Sequence, residues 1–381
     1  MITIANADKA LKTYYLDAVT TALDGISPFY AAIDKNSAEV YGKEVKVAVV
    51  RGDNSRVMAG TEDGALPAAG KNRYITLTGA LKNIYGTIEI SDKAMRASKS
   101  AEGAFVNLVN AEMEGLVASA KANFSRMLYG DGNGFLATIT DTEDGIVVDE
   151  ACRLSEGMHV DIRSSTGIVD GGTDITVTSV DYATKTITLS STPSGVLASK
   201  DIYVHGAYGN ELTGFAALFG TGDIYGVTRS TESYLKPNVF TVSSLTEEAI
   251  AEKIGYLEQY YNDRPDMILC SYKTRAKIGE LLAQSRMQVN TEMLAGGYPA
   301  IMFDGIPVVA DKYCGDDELY LVNTADFCLA QLCDWAWLED EDGKILKQVP
   351  GKAAYSATLV KYAELICKKP CGQAKITGFA S

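Results

Sequence analysis

The most distinctive pattern in this 381-residue sequence is VVRGDNSRVMAGTEDGALPAAGKNRYITL, residues 49–77. Alternating apolar and polar residues lead into it from Val45 and continue after it from Tyr74, which predicts two strands. The link between them, Arg51 to Arg73, is far longer than the usual hairpin loop of about two to five residues. Its sizeable apolar side chains are only Val57, Met58 and Leu66. The sequence therefore predicts a long two-stranded arm that cannot form a core of its own.

Composition limits the class of protein. The length allows roughly two or three domains, and 46% hydrophobic residues are enough for a packed core. The sequence has no run of about 18 apolar residues, so no membrane span is predicted. The N-terminus shows no signal-peptide pattern. The seven cysteines are scattered and odd in number. This pattern indicates free, mostly buried thiols in a reducing compartment.

Charge is unevenly distributed along the chain. The net charge of −14 argues against a dedicated nucleic-acid binder. Residues 141–211 contain twelve acidic and four basic residues, whereas residues 343–381 contain seven lysines and one acid, Glu364. A segment with its own charge character is a candidate inserted domain.

Apolar spacing predicts the main elements. A first helix follows Asn6 and ends before Gly25, and a helix of roughly 40 Å runs from about Ala101 to Tyr129. A third strand is expected from Ile84 to Ile90. Within 141–211, short alternating runs separated by turn residues predict a small antiparallel barrel or sandwich.

The rest of the chain is predicted to mix helices and strands. Ser244 and Glu247 have the spacing of a capping box, and Ser271 is a candidate N-cap between a strand and a helix. GIPVVAD and ELYLVNT are typical of buried strands. The alternation in AAYSATLVKYAELICKK predicts a long strand near the C-terminus.

Motifs for catalysis are weak. GALPAAGKN has the wrong glycine spacing for a phosphate loop and precedes a strand instead of a helix. Two histidines and no Gly-x-Ser-x-Gly motif give hydrolase chemistry little support. DTEDG lacks the acid spacing of a calcium loop. Strand contexts and loose spacing argue against zinc at the four cysteines nearest the C-terminus, Cys328, Cys333, Cys367 and Cys371. We expect no catalytic residue, cofactor or metal, and no enzyme.

The order of elements resembles the major capsid proteins of tailed bacteriophages with the Hong Kong 97-type fold. YGKEVKVAVVRGDN and NRYITLTGALKNIYGTIEIS resemble the extended E-loop, and AEGAFVNLVNAEMEGLVASAKANFSRMLYG resembles the spine helix. GIPVVADKYCGDDELYLVNTADF resembles the axial A domain. The resemblance implies an α+β capsid fold with an inserted antiparallel β domain. Its expected divisions are an N-terminal arm (1–41), the E-loop (42–91), the peripheral P domain with the spine helix (92–140), the insertion (141–211), more of the P domain (212–263), the A domain (264–334) and a C-terminal P-domain strand (335–381).

The resemblance also implies a function. The chain would form hexamers and pentamers of an icosahedral shell around double-stranded DNA, in the virion, after assembly in the cytoplasm of the bacterial host. Portal, scaffold and decoration proteins would be partners, and no membrane would be involved. An arm without a core would bury its apolar residues on another copy. The expected intersubunit contacts at the E-loop tip are Arg51, Arg56, Met58, Leu66, Lys71 and Arg73.

The sequence is also compatible with two other classes of protein. An encapsulin-like compartment has the same fold but encloses protein cargo. A cell-surface adhesion protein is suggested by the RGD tripeptide at Arg51–Asp53 and the many strands, and opposed by the missing signal peptide. Lys71 could crosslink to a neighbour's asparagine, as in one branch of the family, but no local acid supplies the base. We further expect the acidic insertion to face outward and the Lys-rich stretch Lys344–Lys375 to face inward or an interface.

Overall fold

The computed structural model describes most of the chain. The described residues are 27–38, 40–52, 54, 56–57, 59–64, 66, 68–93, 102–142, 145–194, 197–284, 291–293, 299–339 and 345–379. The helix expected between Asn6 and Gly25 lies outside these ranges.

The described residues form five α-helices and 22 β-strands. The helices are α1 (Pro28–Ala32), α2 (Glu102–Tyr129), α3 (Phe215–Leu218), α4 (Glu247–Tyr261) and α5 (Tyr272–Gln284), with 3₁₀ turns at Ser233–Leu235, Thr324–Asp326 and Pro370–Gly372. The strands are β1 (Asp34–Asn36), β2 (Val40–Tyr41), β3 (Glu44–Gly52), β4 (Arg73–Ala80), β5 (Lys82–Ser91), β6 (Phe135–Asp141), β7 (Ile146–Val148), β8 (His159–Ser164), β9 (Gly167–Ile168), β10 (Ile175–Asp181), β11 (Thr186–Leu189), β12 (Asp201–Val204), β13 (Asn238–Thr241), β14 (Met267–Cys270), β15 (Thr291–Met293), β16 (Pro299–Phe303), β17 (Ile306–Ala310), β18 (Glu318–Val322), β19 (Phe327–Trp337), β20 (Lys347–Gln348), β21 (Ala354–Cys367) and β22 (Ala374–Thr377). In the part of the chain that is described, no helix is both long and apolar enough to span a membrane.

A five-stranded sheet, here called the peripheral sheet, is built around the 14-residue strand β21. Strand β21 pairs antiparallel with β5, β19 and β20, and β1 lies parallel to β19. The 28-residue helix α2 packs on this sheet because its apolar residues recur every three or four positions. Its buried side chains include Met113, Val117, Phe124 and Leu128. The long helix and the long terminal strand expected from the sequence are both confirmed.

A second, seven-stranded sheet, the axial sheet, has the order β13-β22-β18-β14-β17-β16-β15. Helices α4 and α5 bury Ile254, Leu257 and Ile278 in its core. The expected N-cap Ser271 is confirmed, since its hydroxyl accepts a hydrogen bond from the N–H of Thr274 at 3.2 Å. The capping box at Ser244 is wrong: Thr246 caps α4 and accepts from Ala249. Threonine at this position directly precedes the first helical residue, as an N-cap must.

The axial sheet includes strands from distant parts of the sequence. Its outer strand β13 and the neighbouring β22 pair in parallel, from Asn238↔Ala374 to Thr241↔Thr377. Both lie in segments that the sequence places in the P domain. Pairing between strands so far apart in sequence leaves no local signal, so the sequence does not predict that these two strands share a sheet. The expected domain divisions stay a prediction.

A six-stranded antiparallel barrel is inserted after α2. Its order is β10-β11-β7-β6-β12-β8, and pairing of β8 with β10 closes the ring. Residues facing inward are fully buried, as at Leu136, Val160 and Ile202. The inserted antiparallel β domain is confirmed and is a closed barrel. Its strands run from Phe135 to Val204, so they begin before the expected boundary at 141.

The structure contains no disulfide among the seven cysteines. All seven are free, and Cys152 and Cys333 are the two that are not fully buried. The expectation of free, mostly buried thiols is confirmed.

Candidate assembly interface

The two strands that flank the opening sequence form an antiparallel hairpin, here defined as residues 44–80. Strands β3 and β4 pair from Glu44↔Ala80 to Gly52↔Arg73. Burial decreases along the hairpin. On one face of β3, Val45 and Val47 are buried, whereas Val49, nearer the far end, is half-buried. The base therefore belongs to the core, and the far end projects from it.

The base is fixed by close contacts with the peripheral sheet and a neighbouring loop. The N–H of Thr78 donates to the carbonyl of Tyr225 at 2.9 Å. Gly79 approaches β21 so closely that a Cβ atom there would lie 2.8 Å from Ile366. Further out, Arg51 Nε lies 2.8 Å from Glu232 Oε2 of the same chain.

Beyond Gly52 lies the hairpin tip, defined as residues 53–72, whose described residues are almost all exposed. The hydrogen bonds found among its described residues are local, such as Arg56 N–H to Asn54 Oδ1 at 3.2 Å. Val57 and Leu66 are each 92% exposed. Exposed apolar side chains clustered on one projection are typical of a protein-interaction site.

The residues expected to contact another subunit differ in exposure and in their contacts within their own subunit. Arg51 already pairs with Glu232 within its subunit. Arg56, Leu66, Lys71 and Arg73 are exposed and accessible to a partner. Met58 lies outside the described residues. The structure thus brings the exposed members together on one projection, and their contacts with another subunit stay a prediction.

Three exposed apolar residues were missing from the predicted contact set. These are Val50, Val57 and Tyr74, the last of which is 67% exposed. Val57 was already visible in the sequence as one of the few apolar residues of the link. The exposure of Tyr74 is harder to predict, because alternation alone does not reveal which face of a hairpin is buried.

A buried ion pair attaches the barrel to α2. Arg126 Nη1 donates to Glu211 Oε2 at 2.9 Å, and Arg126 Nη2 also bonds to Glu211 Oε1. Both side chains are almost completely buried. The two connections between barrel and helix also meet, since Val204 N–H donates to the carbonyl of Gly134 at 2.9 Å.

The Lys-rich C-terminal stretch presents less free charge than its composition suggests. Lys361 is 0% exposed, and its ammonium lies 2.6 Å from Asp334 Oδ1. Burial lowers its pKa. Lys369 pairs with Asp263, and Lys375 pairs with Glu318. These three lysines are engaged within the subunit.

Comparison with solved structures identifies the fold. The capsid asymmetric unit of cyanophage A-1(L) matches with a TM-score of 0.57 and 11% identity, over 93% of this chain and 93% of that chain. The capsid of a native GTA particle has a TM-score of 0.49 and 11% identity, over 92% of this chain and 90% of that chain. The holo-SrpI encapsulin complex from Synechococcus elongatus PCC 7942 has a TM-score of 0.49 and 10% identity, over 93% and 88%. No protein-family model and no curated protein matches the sequence.

The first of these matches covers nearly the whole of both chains. The chain therefore has the Hong Kong 97-type capsid fold, as expected from the sequence. At 11% identity the likeness establishes the fold alone.

Proposed function

We propose that this chain is the major capsid protein of a tailed phage and assembles into the icosahedral shell around its double-stranded DNA. The observation that carries the proposal is the hairpin tip. It projects from a subunit with a capsid fold and exposes Val57 and Leu66 almost completely.

In an assembled shell, a neighbouring subunit would bury the apolar side chains of the hairpin tip that stay exposed in the single subunit. Covering a valine or leucine side chain stabilises by about 1.5–3 kcal/mol. Each subunit of a shell offers a tip to one neighbour and receives a tip from another, so this gain recurs at every contact. Tyrosine, of which the chain has 21, suits such interfaces because it combines a large apolar ring with a polar end. The role is structural, without catalysis.

The proposal includes partners and location. The subunits form hexamers and pentamers, and the shell encloses DNA without reading its sequence. Portal, scaffold and decoration proteins are further partners. Assembly takes place in the cytoplasm of the bacterial host, and the product is the virion capsid.

The test is expression of the chain alone and together with neighbouring genes that could encode scaffold. Size-exclusion chromatography and negative-stain electron microscopy should detect pentamers, hexamers or closed shells. Particles isolated from infected cells should contain nuclease-protected double-stranded DNA. A monomer at every concentration, with every scaffold candidate, would contradict assembly. Shells filled with protein and free of DNA would instead indicate an encapsulin-like compartment.

A further inference from the structure

The only two histidines of the sequence, His159 and His205, meet on the outside of the barrel. Strands β8 and β12 pair antiparallel with Val160 opposite Val204, and the next rung joins His205 N–H to the carbonyl of His159 at 3.0 Å. Val160 is fully buried inside the barrel. Because side chains alternate along β8, His159 and Asp161 stand on the outer face. His205, in the turn that follows β12, is held on the same face by its bond to Asp161.

His159 and His205 occupy opposed backbone positions, joined by the hydrogen bond between their main chains. Opposed residues have Cβ atoms on the order of 5 Å apart. A single ion between the rings can therefore contact both without a change in the backbone. The His159 side chain is 58% exposed and the His205 side chain 41% exposed, so an ion can reach them from solvent.

Each ring is oriented by a carboxylate on the same nitrogen. His159 Nδ1 lies 2.6 Å from Asp174 Oδ1, and His205 Nδ1 lies 2.8 Å from Asp161 Oδ1. Asp161 is itself buried and also accepts the N–H of Asp174 at 2.9 Å. In the neutral tautomer whose Nδ1–H donates to the carboxylate, Nε2 keeps its lone pair free for a metal ion. A carboxylate on the far nitrogen is the usual support of a metal-binding histidine.

We propose that His159 and His205 bind one divalent transition-metal ion of the zinc, nickel or copper class through their Nε2 atoms. Imidazole ligands favour these ions over magnesium and calcium, which prefer oxygen. No group of three or more metal-binding side chains is found in the described ranges. The barrel therefore supplies two ligands, with Asp161 and Asp174 as outer support, and water completes the coordination.

The test is isothermal titration of the full-length chain, purified without a polyhistidine tag, with ZnCl₂ and separately with MgCl₂. The pH should be about 8, because protons compete with metal ions for histidine ligands. One zinc ion per chain and no magnesium are expected. His159→Gln and His205→Gln should each weaken zinc binding at least tenfold. Asp174→Asn, which removes the carboxylate from His159 but no ligand, should weaken it by about 10–100-fold.

Two controls keep the result specific. The free thiols are alternative zinc ligands, so Cys152→Ser with Cys333→Ser, which changes the two accessible cysteines, should retain binding. Circular dichroism should show that the histidine variants fold normally. Zinc binding that is absent from the wild-type chain, or that survives in both histidine variants, would overturn the proposal.

Discussion

Glu364 is a carboxyl group buried in the middle of the peripheral sheet. It is 1% exposed and accepts the N–H of Thr213 at 2.8 Å. Burial away from water raises its pKa to about 7. Between pH 4.5 and 7 the unfolded chain has already lost this proton, whereas the folded chain retains it. This residue therefore makes the fold less stable as the pH rises through that range.

Replacing Glu364 with glutamine should remove this pH dependence. At 1.36 kcal/mol per pKa unit, the variant should gain about 3 kcal/mol relative to wild type between pH 4.5 and pH 8. Urea unfolding of dissociated subunits measures the free energy of unfolding of the variant and of wild type at each pH. A packing cost of the substitution is the same at every pH, so it does not affect how this difference changes with pH. Glu89→Gln, on the exposed face of the adjacent strand, should keep the wild-type pH dependence. If the free energies of unfolding of Glu364→Gln and wild type differed by the same amount at every pH, Glu364 would not have a raised pKa in the fold.

The Arg126–Glu211 pair should be costly to break from one side. Glu211→Met leaves a buried guanidinium without its carboxylate, which typically costs about 3–5 kcal/mol. Adding Arg126→Met removes the stranded charge and should restore part of the loss. Chemical unfolding of the two single variants and the double variant gives the coupling energy. If the loss of stability in the double variant equalled the sum of the losses in the two single variants, the two side chains would not stabilise each other.

The contacts of individual side chains could not be predicted from the sequence. Glu364 stands out in the sequence only as the single acid of a Lys-rich stretch, and nothing local predicts its burial. Lys361 likewise gives no sign that it pairs with Asp334 inside the fold. Such contacts depend on which distant strands pair, so they follow from tertiary structure.

Among the elements, the hairpin is predicted best from sequence, because alternation and an overlong link are local features. The long helix and terminal strand are also local patterns, and both are confirmed. The axial sheet is predicted only in part, since β13 and β22 are short and pair across more than a hundred residues.

Polar substitutions at the hairpin tip should separate folding from assembly. Val57→Ser with Leu66→Ser changes side chains that are 92% exposed, so subunit stability should stay within about 0.5 kcal/mol of wild type. Shell yield should fall sharply, and deletion of Asn54 to Ala69 should have the same effect. Ile168→Ser, an exposed apolar site on the barrel, is the matched control and should assemble normally. Normal yields from the tip variants would remove the hairpin from the interface.

For the whole molecule, we expect the barrel to project outward from the shell. Residues 141–211 carry twelve acids against four bases, a difference of −8. Packaged DNA presents roughly one negative charge per 1.7 Å of duplex. An acidic barrel on the inner side would be repelled by it, whereas on the outer side the charge keeps particles apart.

The barrel should also be dispensable for closing the shell. Its ends meet at Gly134 and Val204, so residues 135–203 can be replaced by a short Gly-Ser link without displacing the Arg126–Glu211 pair. The shortened chain should still form closed shells, as seen by electron microscopy. Failure to close, with a folded subunit, would assign the barrel a role in assembly.

A cryo-electron microscopy map of the assembled particle, at a resolution that shows side chains, tests whether the hairpin tip joins the subunits. We expect a closed icosahedral shell in which a neighbouring subunit covers Val57 and Leu66 of each hairpin tip. A shell in which the tips extend into solvent, or in which the chain is not a component, would contradict this expectation.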